Sequence, residues 1–433
     1  MKGPFTFTSR TIRHDASMTM SDLTEVDSDR AAAAALLRRS SLAPRPARID
    51  ALAGSSWDDM VDEVLDIATM QAAVEAEIPV TDERQDLLRW WMESMSGPDS
   101  GIVDRMTWFW HGHLTTNEQS VDNTVLITRQ MSLLRTNSMG NYRDLLQGFV
   151  IDGALLYYLD GAGSQAHNPN ENLARELMEL FSIGRGNYSQ DDVRAAARAL
   201  AGWWIDDDEE NEDDPQVRFD RSNAFVAPLV FMGEQDDWDT ERLVDRLCDH
   251  PGTAVNVSSK LWYELVGTEL GTDEAVELGS WWQEADLEIL PLVERILHSD
   301  DARDARYTRA RTGLEWFVAA KAVAGFEFDN IWTLHDLGQM PYHPPNVAGW
   351  PKGDRWLRPG SLAHRAVLLG SLPLDDITGT TTDDVLAACG IESVSDTTRR
   401  ALELAGDADE LAPEQQAVLR WRLALNAPEF HLS

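Results

Sequence analysis

Two short segments in the first half of the chain concentrate residues suited to acid–base or metal chemistry. The first, Trp108-Phe-Trp-His-Gly-His113, places two imidazoles two positions apart, at His111 and His113. The second follows Asn168 and combines carboxylate, amide and guanidinium groups: Glu171, Asn172, Arg175 and Glu176. Imidazole nitrogens are common ligands of zinc, iron and copper, and carboxylates complete such sets. We therefore predict a pocket in which His111, His113 and Glu176 act as catalytic groups or hold a divalent transition metal.

The backbone limits this hypothesis. Side chains two positions apart on a regular helix point to nearly opposite sides, so the two imidazoles converge only if the helix ends near Gly112. The alternative is that both histidines make structural hydrogen bonds and that Glu171 pairs with Arg175 one helical turn away. The chain carries no specific zinc signature such as H-E-x-x-H. Both interpretations stay open at this point.

A proline-rich segment in the second half supplies further candidates. Its sequence, His343-Pro-Pro-Asn-Val-Ala-Gly-Trp-Pro351, excludes a helix and favours an extended path that displays side chains. We predict that His343, Asn346 and Trp350 contribute binding groups to the pocket, together with Glu171, Asn172 and Arg175. His343 is either a third imidazole at the site or a cap for a helix end.

The elements that must position these residues are mostly helices. Apolar residues recur at helical spacing along most of the chain. We predict a mainly α, multi-helical single large domain over residues 28–433, a flexible leader over 1–27 and a small extended insertion around 215–235. In the second half we expect helices at 240–249, 251–266, 287–298, 309–324, 361–370 and 414–425.

Local sequence signals predict further structural details at three places in the chain. Asn168 is expected to cap a helix with Pro169 at its first position, and Ser189 to cap the next one. Trp203 and Trp204 are expected at the end of that second helix. The acidic run over 206–214 is expected to form a solvated loop.

Composition limits partners and location. The chain has 433 residues, 74 acidic and 37 basic, for a net charge of −37, and only four of its cations are lysines. This imbalance favours a surface adapted to high salt, and it argues against nucleic acid as a partner. No stretch approaches the ~20 apolar residues of a membrane span, and we expect no membrane association. The absence of an export signal and of a cysteine framework predicts a cytoplasmic protein.

Several blocks in order resemble one family. They are Trp108–His113, Glu171–Phe181, Gly186–Val193, Ala197–Trp203, Lys260–Trp262, Pro344–Pro351 and Leu425–Phe430. Over roughly residues 30–433 the chain resembles the prokaryotic domain-of-unknown-function 1800 family, which has no established activity. The resemblance also implies a partner, because members tend to be encoded beside a family similar to sulfatases and phosphatases.

Besides a helical scaffold that binds no small ligand, two functional hypotheses follow from the residues and the resemblance. The first is an enzyme with a His/Glu-lined pocket, with a divalent transition metal as its cofactor. The second is a non-catalytic binding or assembly subunit that acts with the neighbouring sulfatase-like or phosphatase-like protein.

Overall fold

A computed structural model describes residues 23–25, 28–79, 81, 83–207, 214–327, 332–374, 377, 380–408 and 410–433. The fold is mainly α, as predicted, and the sheets are small two-stranded ones. The first-half helices are α1 Ser28–Ser40, α2 Pro46–Leu52, α3 Trp57–Val64, α4 Ile67–Glu75, α5 Arg84–Ser96, α6 Ile102–His113, α7 Glu118–Val121, α8 Thr124–Thr136, α9 Tyr142–Val150, α10 Gly153–Tyr158, α11 Glu171–Glu176 and α12 Gln190–Ala199. A π-helix, Leu177–Phe181, continues α11.

The second half is also helical. Its helices are α13 Thr240–Asp249, α14 Pro251–Val266, α15 Thr272–Glu284, α16 Ile289–Leu297, α17 Asp300–Asp304, α18 Gly313–Ala324, α19 Trp332–Asp336, α20 Pro359–Ser371, α21 Thr382–Ala388, α22 Asp396–Gly406, α23 Pro413–Leu425 and α24 Pro428–His431, with a 3₁₀-helix at Gly353–Leu357. The predicted bounds of α13 and α14 are confirmed because both helices have clear start signals. Asp239 caps α13, and Pro251 occupies the first turn of α14.

Among the residues that the structure describes, three antiparallel strand pairs accompany the helices. They join β1 Leu23–Glu25 to β6 Ser393–Ser395, β2 Trp203–Asp206 to β3 Gln216–Phe219, and β4 Leu229–Phe231 to β5 Glu234–Asp236. The extended insertion is present around its predicted position, but it begins earlier. Trp203 and Trp204 lie in β2 rather than at a helix end, because α12 stops at Ala199.

The remaining local predictions have mixed outcomes. Ser189 caps α12 as predicted, with Asp192 returning a hydrogen bond to the cap. The cap of α11 is Asn170 rather than Asn168, because its side chain accepts from the N–H of Asn172. Most of the predicted leader, residues 1–22 and 26–27, and residues 208–213 of the acidic run lie outside the described residues; Leu23–Glu25 form β1.

Helix α6 lies at the centre of the hydrophobic core. Eleven of its twelve residues are buried, which is typical of a helix enclosed by its neighbours on all sides. The core cluster around it extends from Ala33 to Phe430. Its C-terminal end therefore brings two histidines into the interior of the protein. In the part of the chain that the structure describes, no helix combines the length and apolar character needed to cross a bilayer.

Candidate functional site

The end of α6 separates the two predicted histidines. The helix continues through His113, so Gly112 does not end it and the two imidazoles face different neighbours. His111 contacts the proline-rich segment, whereas His113 contacts α9 and α14. Because the helix does not end near Gly112, the two imidazole rings do not converge on one point.

His111 fixes the path of the proline-rich segment. Its Nε2 accepts a hydrogen bond from the N–H of Tyr342 at 3.0 Å. The Tyr342 carbonyl in turn accepts from the N–H of Glu118 at 2.8 Å. Burial lowers the pKa of His111 to about 3, with a smaller contribution from His343. His111 is thus a neutral acceptor that binds the segment to the residues after α6.

The segment then passes directly over the end of α6. Gly349 has a φ of +80°, and a Cβ at this position would lie 2.3 Å from the carbonyl oxygen of Gly112. Only glycine permits this approach. The next residue, Trp350, stacks on Trp108 with ring centroids 5.3 Å apart. Lys352 follows, and the close crossing places it beside the end of α6.

His113 belongs to a hydrogen-bonded chain that fixes its tautomer. The hydroxyl of Tyr142 donates to the carbonyl of Phe181, so its oxygen is left to accept from His113 Nε2–H at 3.2 Å. The unprotonated Nδ1 then faces Lys260 Nζ at 3.5 Å. Burial, followed by the charges of Lys260 and Lys352, holds the pKa of His113 well below its usual value. His113 is therefore a neutral acceptor for the Lys260 amine.

The π-helix supplies the other side of this arrangement. The carbonyl of Leu180 accepts a hydrogen bond from Lys260 Nζ at 2.9 Å. The carbonyl of Ser182, just beyond the π-helix, accepts from Asn256 at 2.7 Å. Carbonyls at the end of a helix have no intrahelical partners, and π-helical turns are frequent at functional sites. Here the carbonyls of Leu180 and Ser182 accept hydrogen bonds from α14, whereas the carbonyl of Phe181 between them accepts from Tyr142 on α9.

Helix α14 presents a polar stripe to this region. Asn256, Lys260 and Glu264 are spaced four residues apart and therefore share one face. The opposite face is buried in the core and consists of Ala254, Val257, Leu261 and Leu265. The stripe places Lys260 between the π-helix and α6.

These elements enclose a cleft of about 220 Å³ that we call the lysine cleft. Its walls include Trp108, His113, Leu180, Lys260, Trp350 and Lys352. Burial lowers the pKa of Lys260 to about 7, with a further contribution from Lys352. The enclosing walls also lower the pKa of Lys352, although its side chain remains accessible to solvent. Two of the four lysines of the chain thus converge on one cleft.

The floor of the lysine cleft is a buried network of two arginines and two glutamates. Arg105 lies 2.8 Å from Glu264 and 2.9 Å from Glu315. Arg309 also lies 2.9 Å from Glu315. Although burial acts to raise the pKa of Glu315, the charges of Arg309 and Arg105 lower it to about 2. Because these four charges compensate one another, the two lysines give the cleft a net positive charge.

A second, wider cleft lies on the other side of the proline-rich segment. This wide cleft has a volume of about 1320 Å³ and is lined by His343, Pro344 and Arg84 among others. The buried carboxylate of Glu118 ion-pairs with Arg84 and lies 3.5 Å from His343 Nε2. Burial lowers the pKa of His343 to about 4 and raises that of Glu118. His343 therefore faces Glu118, away from the lysine cleft.

The predicted binding residues on α11 lie outside the lining of the lysine cleft. Glu171 ion-pairs with Arg175 at 3.0 Å, as the structural alternative anticipated, and also accepts from Gln190 at 2.7 Å. Asn172 is exposed. Glu176 is half-buried, and burial together with the charge of Glu179 raises its pKa. The structure thus places this group on a separate surface.

Asn346 is also away from the cleft lining. It is exposed, and its side-chain oxygen accepts from the N–H of Ala348 at 2.9 Å, which closes a tight turn. Across the described residues, no group of three or more His, Cys, Asp or Glu side chains is placed to hold a metal ion. The structure therefore does not gather His111, His113 and Glu176 into a metal centre.

Five residues that distinguish the lysine cleft were not predicted from the sequence: Lys260, Lys352, Glu264, Arg309 and Glu315. One available signal was the scarcity of lysine, since only four occur in a chain of 433 residues. Another was the spacing of Asn256, Lys260 and Glu264, which places three polar residues on one face of a helix. Neither signal could predict that Lys260 and Lys352 line one cleft, because their proximity depends on the crossing at Gly349.

Comparison with known proteins identifies the family of the chain. The family model described as "Protein of unknown function (DUF1800)" matches residues 35–432. The chain therefore belongs to this family, as its motifs predicted. No curated protein and no solved structure gives a significant match.

Proposed function

We propose that the protein is an enzyme that binds a small anionic compound in the lysine cleft. The observation that carries this proposal is the convergence of Lys260 and Lys352 on one cleft beside His113. In a chain with a net charge of −37, most of the surface repels anions. A local pair of lysines whose neighbouring carboxylates are already paired with arginines supplies the attraction that the rest of the molecule lacks.

The size and walls of the cleft define the ligand class. A volume of about 220 Å³ is below the 300–1,000 Å³ typical of sites for drug-sized ligands, so a compound of a few heavy atoms fits best. The indoles of Trp108 and Trp350 form an apolar wall, and the ammonium group of Lys352 and the amine of Lys260 supply the polar contacts. This combination suits a small carboxylate or phosphate.

Each residue has a distinct role in this proposal. Lys352, accessible at the cleft, holds the anionic group of the ligand. Lys260 faces the same space from α14, and His113 positions its amine through Nδ1. Because both nitrogens of His113 already contact neighbours, its place in the chain to Tyr142 favours positioning over metal coordination. The proposed site thus contains His113 and Trp350, which the sequence predicted, together with the two lysines, which it did not.

Binding of simple anions to matched lysine variants tests the proposal. Isothermal titration with phosphate, sulfate and acetate is expected to show saturable binding to the native protein in a high-salt buffer of a weakly binding anion. Lys352→Ala removes a charged hydrogen bond of about 1.5–3 kcal/mol, and therefore weakens binding roughly tenfold or more. Lys321→Ala, which removes a lysine outside the cleft, is the control and is expected to leave binding unchanged.

Two outcomes would contradict the proposal. One is the absence of saturable binding for all three anions. The other is an equal loss of anion affinity in Lys352→Ala and Lys321→Ala. Equal losses would show that anions respond to the total charge of the protein and not to a site in the cleft.

A further inference from the structure

We infer that Lys260 is a nucleophilic amine that forms a covalent imine with an aldehyde or ketone group of the anion bound in the lysine cleft. The inference rests on the proposed anion site and adds the reactive group that the ligand must carry. It assigns to Lys260 a role distinct from that of Lys352, which holds the charge of the ligand.

The amino-acid composition separates these roles. Of 37 cationic side chains, only four are lysines, so arginine is the cation that this chain uses almost everywhere. Arginine binds carboxylates and phosphates at least as well as lysine, because its planar guanidinium forms two parallel hydrogen bonds. Lysine differs in one respect, since its amine can lose a proton and attack a carbonyl. A half-buried lysine in an arginine-rich chain therefore indicates a position where a free amine is needed.

The contacts of Lys260 hold the amine without an opposite charge. Nζ donates to the carbonyl of Leu180 at 2.9 Å and lies 3.5 Å from Nδ1 of His113. Both neighbours are uncharged, and in the described part of the chain no carboxylate lies within ion-pair distance of Nζ. Glu264, four residues later on the same face, is occupied by Arg105. Two directions around the nitrogen are thus fixed, and Lys260 is one of the residues that line the cleft.

The surroundings also favour the neutral amine. The charged and titratable groups that line the cleft together with Lys260 are His113, Tyr263, Glu264, Arg309, Glu315 and Lys352. The carboxylates among them are paired with arginines, whereas Lys352 is a nearby like charge. A lysine that is desolvated and placed near another cation is a recognised form of activated nucleophile. The pKa of Lys260, lowered to about 7 chiefly by burial, agrees with this arrangement.

The covalent step is balanced without an added oxidant or reductant. The Lys260 amine adds to the carbonyl carbon, and its proton moves to the carbonyl oxygen to give a carbinolamine. The hydroxyl so formed then leaves as water together with the second amine proton, and the carbon–nitrogen double bond forms. His113 Nδ1 accepts a hydrogen bond from the Lys260 amine. This bond keeps the lone pair of Lys260 Nζ directed at the cleft, so His113 is a positioning residue.

Reductive trapping tests this inference on the full-length protein. The protein is incubated with glyoxylate or pyruvate and sodium cyanoborohydride, which reduces the imine to a stable secondary amine. Peptide mass spectrometry then locates the adduct. We expect modification at Lys260 to exceed that at Lys321 by at least tenfold within the same molecules, and Lys260→Arg to abolish it while Lys321→Arg does not.

The neutral probe acetaldehyde distinguishes covalent chemistry from anion binding. Lys352→Ala is expected to reduce trapping of glyoxylate at least tenfold and to leave trapping of acetaldehyde at Lys260 nearly unchanged. If glyoxylate competes with sulfate for the cleft but gives no adduct at Lys260, the inference is overturned and the anion site stands. If neither glyoxylate nor sulfate binds, the proposed anion site is wrong, and the inference that rests on it is overturned as well. Equal modification of Lys260 and Lys321 in the native protein also overturns the inference, whatever the variants do.

Discussion

The two clefts on either side of the proline-rich segment contain similar residue types but use them differently. In the wide cleft, Arg84 is paired with Glu118, and His343 faces the same carboxylate. In the lysine cleft, the arginines and glutamates of the floor are paired with one another, and Lys260 and Lys352 take no part in these ion pairs. The comparison shows that charged side chains alone do not define a reactive site. The residues that remain available after internal pairing define it.

The same contrast distinguishes the two histidines of α6. Nε2 of His111 is used to bind the backbone of Tyr342. His113 instead leaves Nδ1 facing the Lys260 amine. One helix end thus anchors the segment between the clefts and positions the amine of one of them.

The largest expected effect comes from unpairing the floor of the lysine cleft. Arg105→Met leaves Glu264 and Glu315 without one of their buried partners and is expected to lower the free energy of unfolding by about 3–5 kcal/mol. Arg175→Met removes a partly exposed partner of Glu171 and is the matched control, with an expected loss below about 1 kcal/mol. Denaturant unfolding measures both. Equal, small losses would show that the floor is not the tightly paired network described above.

Acid should weaken the protein through His343 in the wide cleft. Its pKa of about 4 in the folded state lies below the usual value near 6.5, because burial and the neighbouring Arg84 and His335 oppose its charge. The unfolded chain therefore binds a proton first, and stability falls as the pH drops from about 6.5 towards 4. His343 alone contributes up to about 1.4 kcal/mol per pH unit to this slope, and the buried His111 and His113 add to it in the same direction. His343→Gln should reduce this slope, and an unchanged slope would contradict the assignment.

A smaller effect is expected from the anchor at the end of α6. His111→Leu leaves the buried N–H of Tyr342 without its acceptor and should lower the free energy of unfolding by about 1–3 kcal/mol. Because His111 does not contact Lys260, acylation of Lys260 in the folded protein should keep its native rate. His113→Leu should change that rate. The division of roles is wrong if His111→Leu and His113→Leu change the acylation rate equally.

The smallest expected effect concerns Glu176, which the sequence predicted as a catalytic group. It is half-buried beside Glu179 and outside the lining of the lysine cleft. Glu176→Gln is expected to change the free energy of unfolding by less than about 0.5 kcal/mol and to leave anion affinity unaltered. A tenfold loss of anion affinity would show that Glu176 belongs to the site and that the lysine cleft extends to α11.

The fold could be predicted where local signals are strong. Helices α13 and α14 match their predicted bounds because capping residues and Pro251 mark their starts. Trp203 and Trp204 were wrongly placed, because two adjacent indoles fit a helix end or a strand equally well and only pairing with β3 decides between them. Local patterns do not specify such long-range pairings.

The candidate site could be predicted only in part, for the same reason. The unusual residues His113 and Trp350 directed attention to the right segments. Lys260 and Lys352 come from distant elements that meet because Gly349 crosses the backbone of Gly112. Nothing in the spacing of the sequence specifies that crossing. Nor does the spacing show that Glu171 pairs with Arg175 and Gln190, outside the lining of the lysine cleft.

The most direct test of the account is the titration of the Lys260 amine. Competitive labelling of the native protein with trace acetic anhydride, followed by peptide mass spectrometry, gives the reactivity of Lys260 as a function of pH, with Lys321 in the same molecule as the reference. The account predicts that the labelling rate of Lys260 rises to half of its maximum near pH 7. A midpoint near 10.4, the ordinary value for a lysine in water, would contradict it.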